Sequence, residues 1–236
     1  MADMAAAGAG ARDGAPDVTL SIDGAQPLSA ALVEAVARTC DRVEGVEGAR
    51  LVLRVSGVPA PGWTEGLTVG LVSKWERALR RLERLPAVTV AVADGDCGGA
   101  ALDALLAADF RIATTTARLV VPVTSAGSTG TWPGMALYRL VHQGSNSAAV
   151  RRAVLFGEPV DAFRARSLQL VDEVTDDVDG ALAAVAALSR TLTGNELAIR
   201  RQLMFDALTT SFEEALGVHL AACDRVLRQA AAGAAS

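Results

Sequence analysis

The sequence predicts an α/β protein built on a parallel sheet. Short runs of β-branched residues, Leu and Ala at 18–22, 51–55 and 88–92 alternate with longer stretches of helical spacing. Strands that alternate with helices form parallel βαβ units, because a parallel pair needs a long crossover. The apolar fraction of 51% is mostly Ala, Val and Leu, with aromatics at 4%. That composition suits helices layered on a sheet around one core. Beyond residue 175 the chain reads as helix alone. A chain of 236 residues is long enough to bury a sizeable core.

Residues 1–16, Ala- and Gly-rich and unpatterned, are expected to be a disordered tail. Residues 18–22 form the first strand, and Asp23-Gly24 is turn chemistry. Leu28, Leu32 and Val36 recur at helical spacing within a helix over 27–43. The second strand is 51–55. Two Pro and two Gly make 56–63 a loop. Residues 67–85 are amphipathic, with Leu71, Trp75, Leu79 and Leu82 on one face, and Pro86 stops the helix. A fully apolar strand at 88–92 leads into a sharp loop at 94–99. A helix follows at 100–107, then short strands at 110–112 and 119–121. Past Thr124 the pattern turns irregular and then helical, with a helix at 151–156, a last short strand at 168–174, and helices at 179–192, 196–208 and 212–229. The final helix carries Leu216, Leu220 and Cys223 on one stripe. A core domain over 17–175 and a helical region over 176–236 follow.

Composition excludes several function classes. Net charge is −5, and the Arg80-Arg81 and Arg200-Arg201 pairs sit in helical segments as solvated faces, so no basic stripe marks a nucleic-acid footprint. Cys40, Cys97 and Cys223 are far apart, without metal-like spacing, and read as reduced thiols. No metal is expected. No stretch of about 18 uncharged apolar residues predicts a membrane span, and no signal peptide is expected. The expected location is the cytoplasm.

The chemistry concentrates between residues 86 and 174. A strand runs into a helix through Gly98, Gly99, Ala100 and Ala101. Small residues let a ligand approach the backbone, and the unpaired amides of a first helical turn point at it. Such a place suits developing negative charge. The same glycines equally let the helix pack tightly on the sheet. A dinucleotide loop is excluded, since GxGxxG is absent. Asp103 lies three residues after Ala100, about one turn, so both can face one pocket. A buried carboxyl there exchanges protons near neutral pH; the alternative is an acid that stabilises a helix N-terminus. Asp94 and Asp96 flank a glycine and read as turn formers rather than a metal pair. His142 and His219 lack convincing Ser and Asp partners for a hydrolase triad. Trp132-Pro133 borders a ligand pocket or starts a helix. Glu65 is a reserve acid or base.

Four segments carry a family resemblance. They are Pro86-Ala-Val-Thr-Val-Ala-Val-Ala-Asp-Gly-Asp-Cys-Gly-Gly-Ala-Ala-Leu-Asp103 with Asp109-Phe-Arg-Ile-Ala113, Trp132-Pro-Gly-Met-Ala-Leu-Tyr-Arg-Leu140, Leu155-Phe-Gly-Glu-Pro-Val-Asp-Ala162, and Leu170-Val-Asp-Glu-Val174. In this order they resemble the crotonase (enoyl-CoA hydratase/isomerase) superfamily. The resemblance implies the ClpP/crotonase-like fold of repeated ββα units, with a C-terminal helical trimerisation region. It implies an acyl-CoA thioester substrate, coenzyme A as part of that substrate, no further cofactor, and a trimer or hexamer. It places one oxyanion-hole N–H at Ala100 and the second near Trp63. Gly98, Gly99, Val123, Trp132 and Gly134 fall around the pocket. Asp103 falls where such hydratases carry their first glutamate and Val123 where they carry the second, so standard two-glutamate hydration is in doubt.

Four stretches resemble more narrowly the crotonase homologues of dihydroxyphenylglycine biosynthesis: Lys74-Trp-Glu-Arg-Ala-Leu-Arg-Arg-Leu-Glu-Arg-Leu-Pro86, Asp94-Gly-Asp-Cys-Gly-Gly99, Trp132 to Leu140, and Ala198-Ile-Arg-Arg-Gln-Leu203. That resemblance implies a lyase-like dehydratase or isomerase beside a type III polyketide synthase. It leaves a non-catalytic partner of the synthase as the alternative.

Overall fold

The computed structural model describes residues 16–122, 132–143, 148–189 and 194–207, and then 210–214, 216, 217, 220, 224 and 228. Residues 1–15 of the expected tail, Val123, His219, Cys223 and most of the expected last helix lie outside the described residues.

Strand β1 (Asp17–Asp23) leads to helix α1 (Ala30–Glu44), β2 (Arg50–Gly57), α2 (Val69–Leu82), β3 (Thr89–Gly98) and α3 (Ala100–Leu106). Then come β4 (Phe110–Ala113), β5 (Arg118–Val120), α4 (Ala136–Gln143), α5 (Ala148–Phe156), β6 (Val160–Asp161), α6 (Ala162–Ser167), β7 (Glu173–Val174), α7 (Val178–Ser189) and α8 (Gly194–Asp206). The sheet order is β1-β2-β3-β4-β7, all parallel. Strand β5 also pairs parallel with the far end of β3, and β6 pairs antiparallel with β5.

The helices begin where the side chains dictate. Ser29 and Thr68, both with extended backbone, accept the amides of Leu32 and Leu71 and so cap α1 and α2. Each helix buries one stripe: Val36, Thr39, Cys40 and Val43 from α1, and Trp75, Ala78, Leu79 and Leu82 from α2. The apolar run in β3 follows from cover on both faces. Ala91 and Ala93 point into the main core, while Val90 and Val92 pack with Ile112, Ala181 and Val185 of α7 in a second, smaller cluster. All seven residues of α3 are buried, which its content of Ala and Leu allows.

The structure corrects two expectations. Residues 94–98 are not a free loop. Strand β3 continues through them, with Gly57 opposite Cys97 and Asp96, Cys97 and Gly98 opposite Arg118, Leu119 and Val120. A register shift between Val55 and Gly57 absorbs extra β3 residues, and Gly95 within that stretch has φ +66. The last strand is only Glu173–Val174. The amides of Leu168 and Leu170 close α6 onto Arg164 and Ala165, and Gln169 has φ 60, so this part cannot extend a sheet.

The strand ends β1 to β3 close tightly together. A Cβ on Gly24 would lie 2.4 Å from the Gly98 carbonyl and 2.5 Å from that of Gly57. This crowding brings the start of α3 against the loop after β2. At the C-terminal side Arg201 of α8, expected on a solvated face, is instead buried and donates to both carboxylate oxygens of Asp109 at 2.7 and 2.6 Å. It also donates to the carbonyls of Leu85 and Ala87 at 2.7 and 3.1 Å. Asp109 in turn accepts the amide and hydroxyl of Thr89 on β3. One side chain thus ties α8 to the sheet.

Candidate active site

The site is built where β3 turns into α3. Gly99 makes the turn with φ 55 and ψ −129, a backbone conformation open essentially to glycine. A Cβ there would also lie 2.4 Å from Pro59 Cγ. At Gly98 a Cβ would meet the Val120 carbonyl at 2.8 Å and Val58 Cγ1 at 3.0 Å. Protein atoms therefore account for both glycines by close packing. Helix α3 then starts at Ala100, whose amide, like those of Ala101 and Leu102, has no acceptor within the helix. The Asp103 amide is the first to close a turn, onto the Gly99 carbonyl at 3.0 Å.

Asp103 is fully buried, with 0% exposure. Its Oδ2 accepts two indole N–H groups, from Trp75 on α2 at 3.0 Å and from Trp132 at 2.8 Å. Its Oδ1 is buried and has no hydrogen-bond partner. Burial pushes the carboxyl up from 3.8 to about 6. The two indole donors and the Arg139 charge pull it back, while the Glu76 charge adds to the rise. Gly134 completes the packing, since a Cβ there would sit 2.0 Å from Oδ2 and 2.6 Å from Trp132 Nε1.

Trp132 is placed by ionic contacts between α2 and α4. Arg139 of α4 is buried and donates from Nε to Glu83 at 2.8 Å and from Nη2 to Glu76 at 3.1 Å. The other Glu76 oxygen accepts the Met135 amide at 2.8 Å. This fixes the 132–135 turn over Asp103. Trp132 also packs on Trp63, with ring centroids 5.4 Å apart.

The residues expected at the site are brought together in part. Ala100, Asp103, Gly98, Gly99, Trp132 and Gly134 cluster around the start of α3. Trp63 contributes its ring, while its amide donates to the Ala60 carbonyl at 3.2 Å within a turn. Asp96 is held by Arg118 through two hydrogen bonds of 2.6 and 2.7 Å, and Asp94 accepts from the Thr114 hydroxyl at 3.0 Å. Both thus have structural partners on β3 and its neighbours. Among the described residues no group of three or more His, Cys, Asp or Glu could hold a metal ion. His142 is exposed against Tyr138, with centroids 4.0 Å apart, and Glu65 is exposed. Two surface depressions have no Asp103 in their lining, one of about 200 Å³ lined by residues such as Asp23, Arg54 and Asp94, the other of about 600 Å³ along α2 lined by residues such as Glu76, Arg77, Arg80 and Arg84. No helix of the described residues is long and apolar enough to cross a membrane.

Sequence reasoning missed Trp75, Glu76, Glu83 and Arg139 as members of this site. Trp75 reads simply as part of an apolar helix face. The signal that could have found it is its indole N–H, which needs a partner once buried.

A family model described as enoyl-CoA hydratase/isomerase matches residues 68–233, well over half of the chain. The chain belongs to the enoyl-CoA hydratase/isomerase family. A protein of Amycolatopsis orientalis named enoyl-CoA-hydratase is 54% identical over 217 residues, covering 91% of this chain and 98% of that one. Solved structures agree in fold. An enoyl-CoA hydratase/isomerase from Marinobacter aquaeolei superposes with a TM-score of 0.77 at 16% identity, over 92% of this chain and 90% of the other. A Thermobifida fusca YX protein, solved in complex with acetoacetyl-CoA, gives 0.74 at 18% identity, over 93% and 94%. The crotonase fold expected from the sequence is the fold observed.

Proposed function

We propose that this chain is an acyl-CoA dehydratase or isomerase of the DpgB type. It assists a type III polyketide synthase in forming 3,5-dihydroxyphenylacetyl-CoA, a precursor in dihydroxyphenylglycine and antibiotic biosynthesis. It works through a thioester oxyanion hole and the single carboxylate Asp103. The observation that carries the reading is Asp103 itself: a buried carboxyl with its titration raised to about 6, one helical turn from Ala100, whose amide has no acceptor within the helix. Acetoacetyl-CoA bound to the Thermobifida fusca protein supports a CoA thioester as ligand.

In this reading the thioester oxygen accepts the Ala100 N–H, and the second donor is an N–H near Trp63 other than the Trp63 amide itself, which is engaged with the Ala60 carbonyl. The Asp103 carboxylate takes the proton next to the thioester carbonyl. The charge moves onto the thioester oxygen as an enolate. The enolate then collapses, and the β-hydroxyl leaves as water with the proton that Asp103 returns. Asp103 ends as it began, so one carboxylate suffices where the product gains aromatic stability. Gly98, Gly99, Trp132 and Gly134 border the acyl group in this reading, and Val123, given to the pocket by the family resemblance, lies outside the described residues. Coenzyme A enters and leaves with the substrate, and no other cofactor takes part. Exposed apolar side chains on α4 to α6, among them Tyr138, Val141, Phe156 and Phe163, support a homo-oligomer, trimer or hexamer. In this reading the helical region begins at 176, and its helices α7 and α8 pack back on the sheet through Ala181, Val185 and Arg201.

One observation favours a second reading, a non-catalytic partner that stabilises the synthase or its intermediate. Asp103 has no exposed surface and is held by two indoles, as a structural residue would be. The test mixes malonyl-CoA, the type III synthase and this protein as wild type or Asp103→Asn. Chromatography follows 3,5-dihydroxyphenylacetyl-CoA, with folding of the variant checked separately. An enzyme accelerates product at substoichiometric ratios and loses the effect with Asp103→Asn. Equal acceleration by the folded variant, or a need for one protein per synthase, overturns the enzymatic reading.

A further inference from the structure

Two of the chain's three tryptophans converge on one atom. Trp75 comes from α2 and Trp132 from the turn before α4, so separate elements bring the two indoles to Asp103. Both donate to Oδ2, at 3.0 and 2.8 Å, and neither touches Oδ1 with a hydrogen bond. Indole nitrogen is a donor only, so Oδ2 serves as acceptor to both at all times. The backbone of Gly134 closes the space beside Oδ2, since a Cβ there would be 2.0 Å away. A proton on Oδ2 would have to displace one of the two N–H donors. A proton on Oδ1 displaces nothing, because that oxygen is buried without a hydrogen-bond partner.

We propose that Trp75 and Trp132 are positioning residues that hold Oδ2 as a fixed acceptor and confine the exchangeable proton of Asp103 to Oδ1. The inference rests on the reading of Asp103 as the proton carrier for its consequence in catalysis, though not for the titration itself. The charged and titratable groups that face the carboxyl are Glu76 from α2, Arg139 from α4 and the Cys97 thiol from β3. Burial keeps that thiol protonated. Hydrogen bonds to the charged form favour it, so each indole eases ionisation of a carboxyl that burial resists. Removing either indole donor makes Asp103 harder to ionise.

The indoles are also the reporters. Intrinsic fluorescence of the wild-type protein, titrated without substrate, is expected to change with a midpoint near 6. The change disappears in Asp103→Asn, whose amide keeps the shape. In Trp132→Phe the remaining Trp75 still reports, and the midpoint moves to higher pH. Trp75→Phe, at the centre of the core, does the same where it folds; Trp132→Phe keeps the test open where it does not. An unmoved midpoint in Trp132→Phe, or a titration that survives Asp103→Asn, overturns the inference. The pH dependence of product formation with the synthase is measured alongside. If the fluorescence midpoint moves and the acid limb of activity moves with it, the indoles position the proton carrier. If the midpoint moves and the acid limb stays, the clamp stands and the catalytic reading of Asp103 fails. If Asp103→Asn abolishes product while Trp132→Phe leaves the midpoint in place, the catalytic reading stands and the clamp fails.

Discussion

Replacing Asp103 by Asn changes how stability depends on pH, by an amount the structure sets. The folded carboxyl titrates at about 6 against 3.8 for an unperturbed Asp. Between these values the folded state binds the proton more tightly than the unfolded chain. Stability of the wild type therefore falls as pH rises through that window and stays lower above it. At about 1.4 kcal/mol per pH unit, the difference amounts to about 3 kcal/mol. Asn is neutral throughout, and its carbonyl can accept both indoles. The stability gap between variant and wild type should thus shift by about 2.5 kcal/mol in favour of Asn between pH 4 and pH 7, the rest of the full difference lying below pH 4. Other carboxyls titrate in both proteins and cancel. Urea unfolding followed by circular dichroism at a series of pH values measures the gap. A gap that stays constant across the window would refute the reasoning, because Asp103 would then titrate as an ordinary exposed carboxyl.

Gly134→Ala places a Cβ 2.0 Å from Asp103 Oδ2, so the carboxyl or Trp132 must move. Thermal and urea unfolding should show a loss of about 1–3 kcal/mol from overpacking, and product formation should fall in the protein that still folds. Arg201→Ala leaves Asp109 and the carbonyls of Leu85 and Ala87 without their buried donor. Arg201 is buried but Asp109 keeps solvent exposure, so the loss is expected at about 1–3 kcal/mol, below that of a fully buried pair. A change in urea midpoint worth under about 1 kcal/mol would show that α8 is held by other contacts.

Much of the fold is legible in the sequence, because local rules and tertiary packing agree there. The amphipathic helices α1 and α2 and the doubly covered strand 89–93 follow from periodicity and apolar runs, while the caps at Ser29 and Thr68 start both helices slightly later than periodicity alone implies. Reading fails at residues 94–98, where glycine and aspartate are common to turns and to a strand with a register shift. Which of the two forms depends on partners at 57 and 118–120 that are distant in the chain. Reading also overstates the strand at 168–174, because nothing local reveals that Leu168 and Leu170 spend their amides on closing α6.

By itself the sequence determined that a Gly-rich strand-to-helix join places Ala100 and Asp103 one turn apart, and that the order of landmarks is that of the crotonase family. Only the tertiary structure decided what surrounds Asp103. Trp75 lies 28 residues before it and Trp132 lies 29 after it, and no local pattern links three such positions. They meet because α2, α3 and the turn before α4 pack together, with Arg139 bound to Glu76 and Glu83. The physical reason is that a carboxyl's proton affinity depends on burial and on which donors reach each oxygen. Both are properties of assembled elements rather than of any one segment.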